Sequence, residues 1–239
     1  VAEMLHVVVV GAGGFGREVL DVLEALNEGS PAARYVVDGV IDDSPSELNL
    51  SRLADRGYRY LGSLDEYLAR GGAARYVIGI GAPQVRARVV MKIGDRLSPI
   101  DPIVHPKANF GSRVTLGAGS VVCAGVSMTT NISSGDHVHV NPNVSVGHDS
   151  MLGDYVSLNP GCAISGDVVI GDRVLVGTTA AILQGLTIGA DAVVGAVACV
   201  TRDVAVGQTV VGVPARPQQP AAAPVPEPQS TSQTPDRRR

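Results

Sequence analysis

The chain has 239 residues, 45% hydrophobic and 18% charged, which is enough for two modest domains with buried cores. A net charge of −4, with Arg237 to Arg239 as the only basic run, argues against a nucleic-acid binder. Three cysteines, an odd number, suggest no disulfide framework, and the apolar run at Leu5 to Val10 is too short for a signal segment or membrane span, so a reducing cytoplasm is expected.

Leu5 to Val10 predicts a buried parallel strand. The turn Gly11-Ala12-Gly13-Gly14-Phe15-Gly16 follows, then a helix over Glu18 to Leu26, apolar at Val19, Leu20, Val22, Leu23 and Leu26. Strand, glycine turn and helix open a Rossmann-like unit: the glycines admit a phosphate-bearing ligand to the backbone, and the helix N-terminus offers it unpaired N–H groups. A second strand is expected over Tyr35 to Ile41, ending in Asp42-Asp43. A short third strand, Tyr60-Leu61, runs into Gly62 and a helix over Leu64 to Leu68. Arg75 to Ile80 reads as a fourth strand and Gln84 to Arg96 as a helix. This domain closes near residue 97, which leaves no chain for the second mononucleotide half of a dinucleotide oxidoreductase.

From Val104 to Ala205 an aliphatic residue returns every sixth position through seventeen hexads, with Ser134 the only polar entry. The second position is glycine in nine of the seventeen, and the fifth is mostly small or β-branched. A period of six fits neither a helix nor a half-buried strand; it fits a β-solenoid in which three hexads close a triangular coil and residue n lies beside residue n+18. Nearly six coils are expected. The absence of Trp, two Phe and 29 Gly suit a prism filled with aliphatics. Beyond Gly207 the pattern dissolves, and residues 217–239, rich in Pro, Ala, Gln and Ser, are expected to be a disordered tail.

Register sorts the five histidines. His148 and Asp149 take the third and fourth positions of one hexad, a corner, where both side chains can leave the solenoid along one edge. Imidazole, with a pKa near 6.5, can take a proton from an amine or hydroxyl, and a neighbouring carboxylate orients it. The n+18 rule stacks His148 on Gly166, whose N–H could stabilise an oxyanion, and Asn141 on Asn159. It also puts His139 beside Ser157, and Thr178 on the same corner as Ala196. A metal site from His137, His139 and His148 is the competing reading; the local His-x-His spacing does not favour it, so no metal is expected. Cys162, at an inward fifth position, reads as core rather than nucleophile.

Hexads such as Leu116-Gly117-Ala118-Gly119-Ser120, Leu152-Gly153-Asp154-Tyr155-Val156 and Ile170-Gly171-Asp172-Arg173-Val174 resemble those of the hexapeptide-repeat acyltransferases. With GAGGFGREV at 11–19, IDD at 41–43, YLGSLDEYL at 60–68, HP at 105–106, GHDSMLGD at 147–154 and GVPA at 212–215, residues 5–216 resemble the sialic-acid O-acetyltransferases and nucleotide-aminosugar N-acetyltransferases. The resemblance implies a small Rossmann-like domain (1–97) that binds a nucleotide sugar, followed by a left-handed parallel β-helix (98–216). It implies acetyl-CoA as cosubstrate, and a homotrimer with active sites between subunits.

The resemblance further implies His148 as general base tuned by Asp149, with direct transfer to the amine of a nucleotide-linked amino sugar. Asn141 and Gly166 complete the catalytic set. Acetyl-CoA contacts fall at Ser157, Gly166, Thr178 and Ala196, and nucleotide-sugar contacts at Gly13, Gly14, Phe15, Asp42, Asp43 and Gly62. Three positions depart from family members: Ser157 and Phe15 replace histidines, and Asp149 stands where some carry Glu. His139, one coil from Ser157, is expected to touch the coenzyme in place of the histidine that other members carry at the serine's position. A sugar hydroxyl is the alternative acceptor, and a catalytically silent sugar-nucleotide-binding protein the further alternative.

Overall fold

A computed structural model of the chain describes residues 4–29, 35–72 and 74–218. Strand β1 (Leu5–Val10) leads through the glycine turn into helix α1 (Gly14–Glu28), and β2 (Tyr35–Ile41) follows. Helices α2 (Glu47–Ala54) and α3 (Leu64–Ala69), strand β3 (Arg75–Ile78) and helix α4 (Pro83–Ile93) complete the domain, with a 3-10 turn at Gly94–Arg96. The sheet is parallel, in the order β2-β1-β3. Its central strand is apolar and fully buried from Val7 to Val10 because both faces are covered there, while His6 near its start is exposed and meets Asp38. Val7 and Val9 pack with Val19, Leu20 and Leu23 of α1, while Val8 and Val10 pack with Leu64, Tyr67 and Ile93 on the other side.

The elements fall near where the hydrophobic runs place them, with several differences: β3 stops at Ile78 instead of Ile80, and the helix expected over Gln84 to Arg96 runs from Pro83 to Ile93 before the 3-10 turn. Helix α1 begins four residues before Glu18, because Gly14, Phe15 and Gly16 already lie within it behind the N-cap Gly13. Tyr60 makes only a single bridge, to Val40, instead of a third strand. Helix α2 was not anticipated, although Ser46 caps it by accepting from Asn49 N and Glu47 lies in its first turn; it is short and buries only Leu53. Residues 98–100 still belong to the first sheet's edge, with Tyr76 N donating to Ser98 O and Ile100 N donating to Tyr76 O.

The remainder is a parallel β-solenoid of short strands in three sheets, residue n pairing with n+18 from Ile103↔Val121 to Ala181↔Cys199. The first face runs from Ile103–Val104 through His139–Val140 to Val193–Val194. The second contains Asn109–Phe110 and Ser145–Val146, and the third Val114–Thr115 and Met151–Leu152. Six coils result. Every fourth hexad position from Arg113 to Val197 has a positive φ, fifteen in succession, so the corner is one repeated left-handed turn whatever residue occupies it. Val140, Val146, Leu158, Ile164, Val176 and Ile182 are among the inward residues that fill the prism.

The register that the sequence carries to Ala205 ends at Val200. Val204 bridges Ile188 and Thr209 pairs with Val193, each sixteen residues on rather than eighteen, so the last hexad is two residues short. The chain then closes in an antiparallel pair, Thr209–Val211 with Arg216–Pro217, and Gln218 N donates to Thr209 O. Ordered pairing thus continues just past the expected boundary at 216, and residues 219–239 of the expected tail lie outside the described residues. Among the described residues no helix is long and apolar enough to cross a membrane.

Candidate active site

His148 projects from the edge between the second and third faces, with 62% of its side chain exposed. Its Nδ1 lies 2.7 Å from Asp149 Oδ2. Asp149 occupies the left-handed fourth position, at φ 61°, and this turns its carboxylate to the same side as the imidazole instead of the opposite side, as successive strand residues would point. Asp149 Oδ1 accepts a hydrogen bond from Asn131 Nδ2 of the preceding coil, also at 2.7 Å. The Asn131 bond first, and the His148 bond second, hold the Asp149 carboxyl below the usual carboxylate range. With Nδ1 facing a carboxylate, the neutral ring carries its hydrogen there and leaves Nε2 as the basic atom.

Gly166 of the next coil lies directly against the ring. A Cβ at that position would stand 2.5 Å from His148 Nε2. No group of the described chain accepts from its N–H. A groove of about 540 Å³ opens beside the pair, lined by Arg113, Thr115, Asn131, Ile132, Ser133, Asp149 and Met151.

A second crevice, of about 210 Å³, lies at the carboxyl ends of β1 and β2, lined by Val10, Gly11, Asp42, Asp43, Leu64, Ile80, Val85 and Val89 among others. That is where open α/β sheets take ligands. The glycine motif divides by role. A Cβ on Gly16 would meet Gly11 O at 1.9 Å, so that glycine allows α1 to touch the strand, whereas Gly13 and Gly14 face open space at the helix N-terminus. Asp42 Oδ2 accepts from Ala12 N and its Oδ1 from Ser44 N, so this carboxylate pins the glycine turn. Asp43 accepts from Leu64 N and meets Lys92, and Gly62, at φ 95°, accepts from Asp42 N.

The other expected residues do not gather at His148. Asn141, Thr178 and Ala196 lie on the edge between the first and second faces, one side of the prism away. Asn141 is 8% exposed and donates its amide to Leu158 O of the next coil, so within one chain it does not join the His–Asp pair. Thr178 and Ala196 are exposed.

His139 corrects a second expectation. It is fully buried on the first face, with its ring 4.4 Å from that of Phe15, and has no surface open to a coenzyme. Ser157 is 1% exposed; its hydroxyl donates to Gly81 O and accepts from Arg86. Phe15 itself turns toward this buried contact. The physical reason is common to all three: outward positions of the first face are covered by the N-terminal domain. Cys162, expected as core, is buried, and burial pushes its thiol up to about 12.

Arg86 was not singled out by sequence reasoning. This fully buried guanidinium donates to Ile80 O and Gly81 O of its own domain and to His137 O, Tyr155 O, Val156 O and Ser157 Oγ of the solenoid. Burial lowers it to about 9, and carbonyl acceptors hold it where no carboxylate does. The one signal was position: an arginine one turn after Pro83 at the start of α4. Its neighbour His137 stacks between Tyr76 and Tyr155, at 5.7 and 5.5 Å. Among the described residues no three His, Cys, Asp or Glu side chains converge as for a metal ion.

Residues 6–93 match the PglD N-terminal domain model. PerB from Caulobacter crescentus, solved with CoA and GDP-perosamine, is 30% identical, with 91% of this chain and 99% of that one covered at a TM-score of 0.78. WeeI from Acinetobacter baumannii AYE is 31% identical over 90% and 100%, at 0.76. The acetyltransferase domain of PglB from Neisseria gonorrhoeae FA1090, solved with acetyl coenzyme A, is 25% identical over 90% and 100%, also at 0.76. Curated protein sequences gave no match. These likenesses define the class as a small Rossmann-like domain on a left-handed parallel β-helix. Within that class the chain belongs to the hexapeptide-repeat sugar acetyltransferase family, as an acyltransferase.

Proposed function

We propose that the chain transfers the acetyl group of acetyl-CoA directly to the amine of a nucleotide-linked amino sugar, with His148 as general base. The carrying observation is the 2.7 Å contact of His148 Nδ1 with Asp149, which leaves Nε2 free on an open edge beside Gly166. Nε2 takes the proton from the amine as its nitrogen forms the bond to the thioester carbonyl carbon. The Gly166 N–H donates to the oxyanion, the C–S bond breaks, and His148 returns the proton to the departing thiolate. A covalent acyl-enzyme is unnecessary, and the buried Cys162 thiol is unsuited to form one.

In this reading the phosphates of the sugar nucleotide meet Gly13 and Gly14 at the N-terminus of α1, and the base enters the crevice beside Asp42, Asp43 and Gly62. The acyl donor lies between two copies of the chain, since Thr178 and Ala196 occupy a different edge from His148 and Gly166. A trimer places such edges together. PerB, a likeness over nearly its whole length with CoA and a GDP-amino sugar bound, supports the substrate classes.

The test is a mass-spectrometric screen of wild type and His148→Ala with acetyl-CoA, UDP-, dTDP- and GDP-linked amino sugars, and sialic acid. One acetyl-mass product from an amino sugar, reduced roughly 10²- to 10⁴-fold in His148→Ala, is expected. Product from sialic acid alone would move the reading to hydroxyl acceptors. Equal product from the variant would remove His148 as base.

A further inference from the structure

The carboxylate that orients His148 is itself held from the coil beneath. Asn131 and Asp149 are eighteen residues apart on one edge, both in the left-handed turn at φ 58° and 61°. One oxygen of Asp149 faces the Asn131 amide and the other faces His148 Nδ1, each at 2.7 Å. Asp149's main-chain N–H is already committed to Thr130 O. Nothing else among the described residues fixes the carboxylate rotamer, and half of the Asp149 side chain is open to water. Gly166 gives the ring a floor without a hydrogen-bonding side chain.

We propose that Asn131 is a positioning residue of the transfer reaction: its amide locks the Asp149 carboxylate, and the locked carboxylate aims Nε2 of His148. The assignment rests on the reading of His148 as base. Asparagine meets both demands of the position, since it tolerates the left-handed turn and its amide reaches the next coil. Asp149 could not be held in the same way by a carboxylate at 131, which would repel it. The charged groups that share the surroundings of the pair are Arg113, lining the groove one coil below Asn131, and Asp167, whose N–H donates to His148 O from the coil above.

Two variants of the full chain separate positioning from packing. Asn131→Gly keeps the left-handed turn and removes the amide; Asn131→Asp keeps the shape and replaces the donor with a second anion. Steady-state kinetics, the pH dependence of kcat/KM, and NMR titration of the His148 ring are measured in each. Asn131→Gly is expected to lower kcat about tenfold with both KM values unchanged. Asn131→Asp is expected to move the acidic limb and the ring's titration midpoint upward by about half a unit or more, because added negative charge favours imidazolium.

A fall in kcat in Asn131→Asp with limb and midpoint unmoved would show a structural role only and overturn the assignment. A raised acceptor KM would do the same by making Asn131 a substrate contact. Should His148→Ala remain active, the base is another group; the ring midpoint still reports whether Asn131 governs the pair, so the two failures stay distinct.

Discussion

Position 166 lacks a side chain for a reason visible in the geometry: the imidazole of His148 fills the space a Cβ would need. Gly166 has no positive φ, so its backbone accepts alanine and the added methyl must displace the ring. Gly166→Ala is expected to lower kcat about a hundredfold while the melting temperature stays near that of wild type, since a displacement near 1 Å at a reacting group costs about that much. Steady-state kinetics beside a thermal melt decide it. A rate within twofold of wild type would mean that the ring position does not matter. The His148–Asp149–Gly166 cluster was legible because register alone puts a third and a fourth position on one corner and stacks n on n+18. The same rule correctly pairs His139 with Ser157, but it says only who stacks on whom and not what covers a face, so the burial of both beneath the N-terminal domain could not be read from it.

Within the solenoid, one turn recurs fifteen times, and residues that suit it poorly sit in it regardless. Val197 is the extreme case, β-branched at φ 61° and 65% exposed. Left-handed backbone costs an ordinary L-residue roughly 1–2 kcal/mol, and asparagine less. Val197→Asn should therefore stabilise the chain by about 1 kcal/mol and raise the melting temperature by about 2–4 °C, measured by calorimetry; a lower melting temperature would show that the valine side chain contributes packing that outweighs its backbone strain. The hexads made this element readable almost residue by residue, because a period of six has one structural solution. The end of the repeat was harder: Val204 takes the place expected of Val206, and both are valines, so composition could not reveal the two missing residues. The sheet of the first domain was plain from its apolar runs, whereas α2, eight residues long and burying one leucine, was overlooked despite its Ser46 cap.

The two domains meet over the first face of the solenoid, where two buried histidines resist charge beside the buried Arg86 guanidinium. His137 is enclosed between two tyrosines, and burial pushes it down to about 4; His139 lies against Phe15, and burial takes it well below its ordinary value. The buried Arg86 works in the same direction on both, while Asp136 and Asp154 oppose it at His137. None of this was legible in the sequence, because a face covered by another domain has the same period as a face open to water. Above about pH 6.5 both histidines are neutral whether the chain is folded or not, and the interface keeps its full stability. Between about 6.5 and 4 the unfolded chain takes up protons that the folded one refuses, so stability falls with pH. For His137 the loss is roughly 3 kcal/mol across that window, and His139 adds to it. The melting temperature is therefore expected to hold near pH 7 and to drop from about pH 6.5 to 4.5. His137→Asn, which fits the left-handed turn at φ 54° and cannot titrate, should show a shallower slope. Parallel slopes for the two proteins would place the acid sensitivity elsewhere and leave the interface as a passive seam.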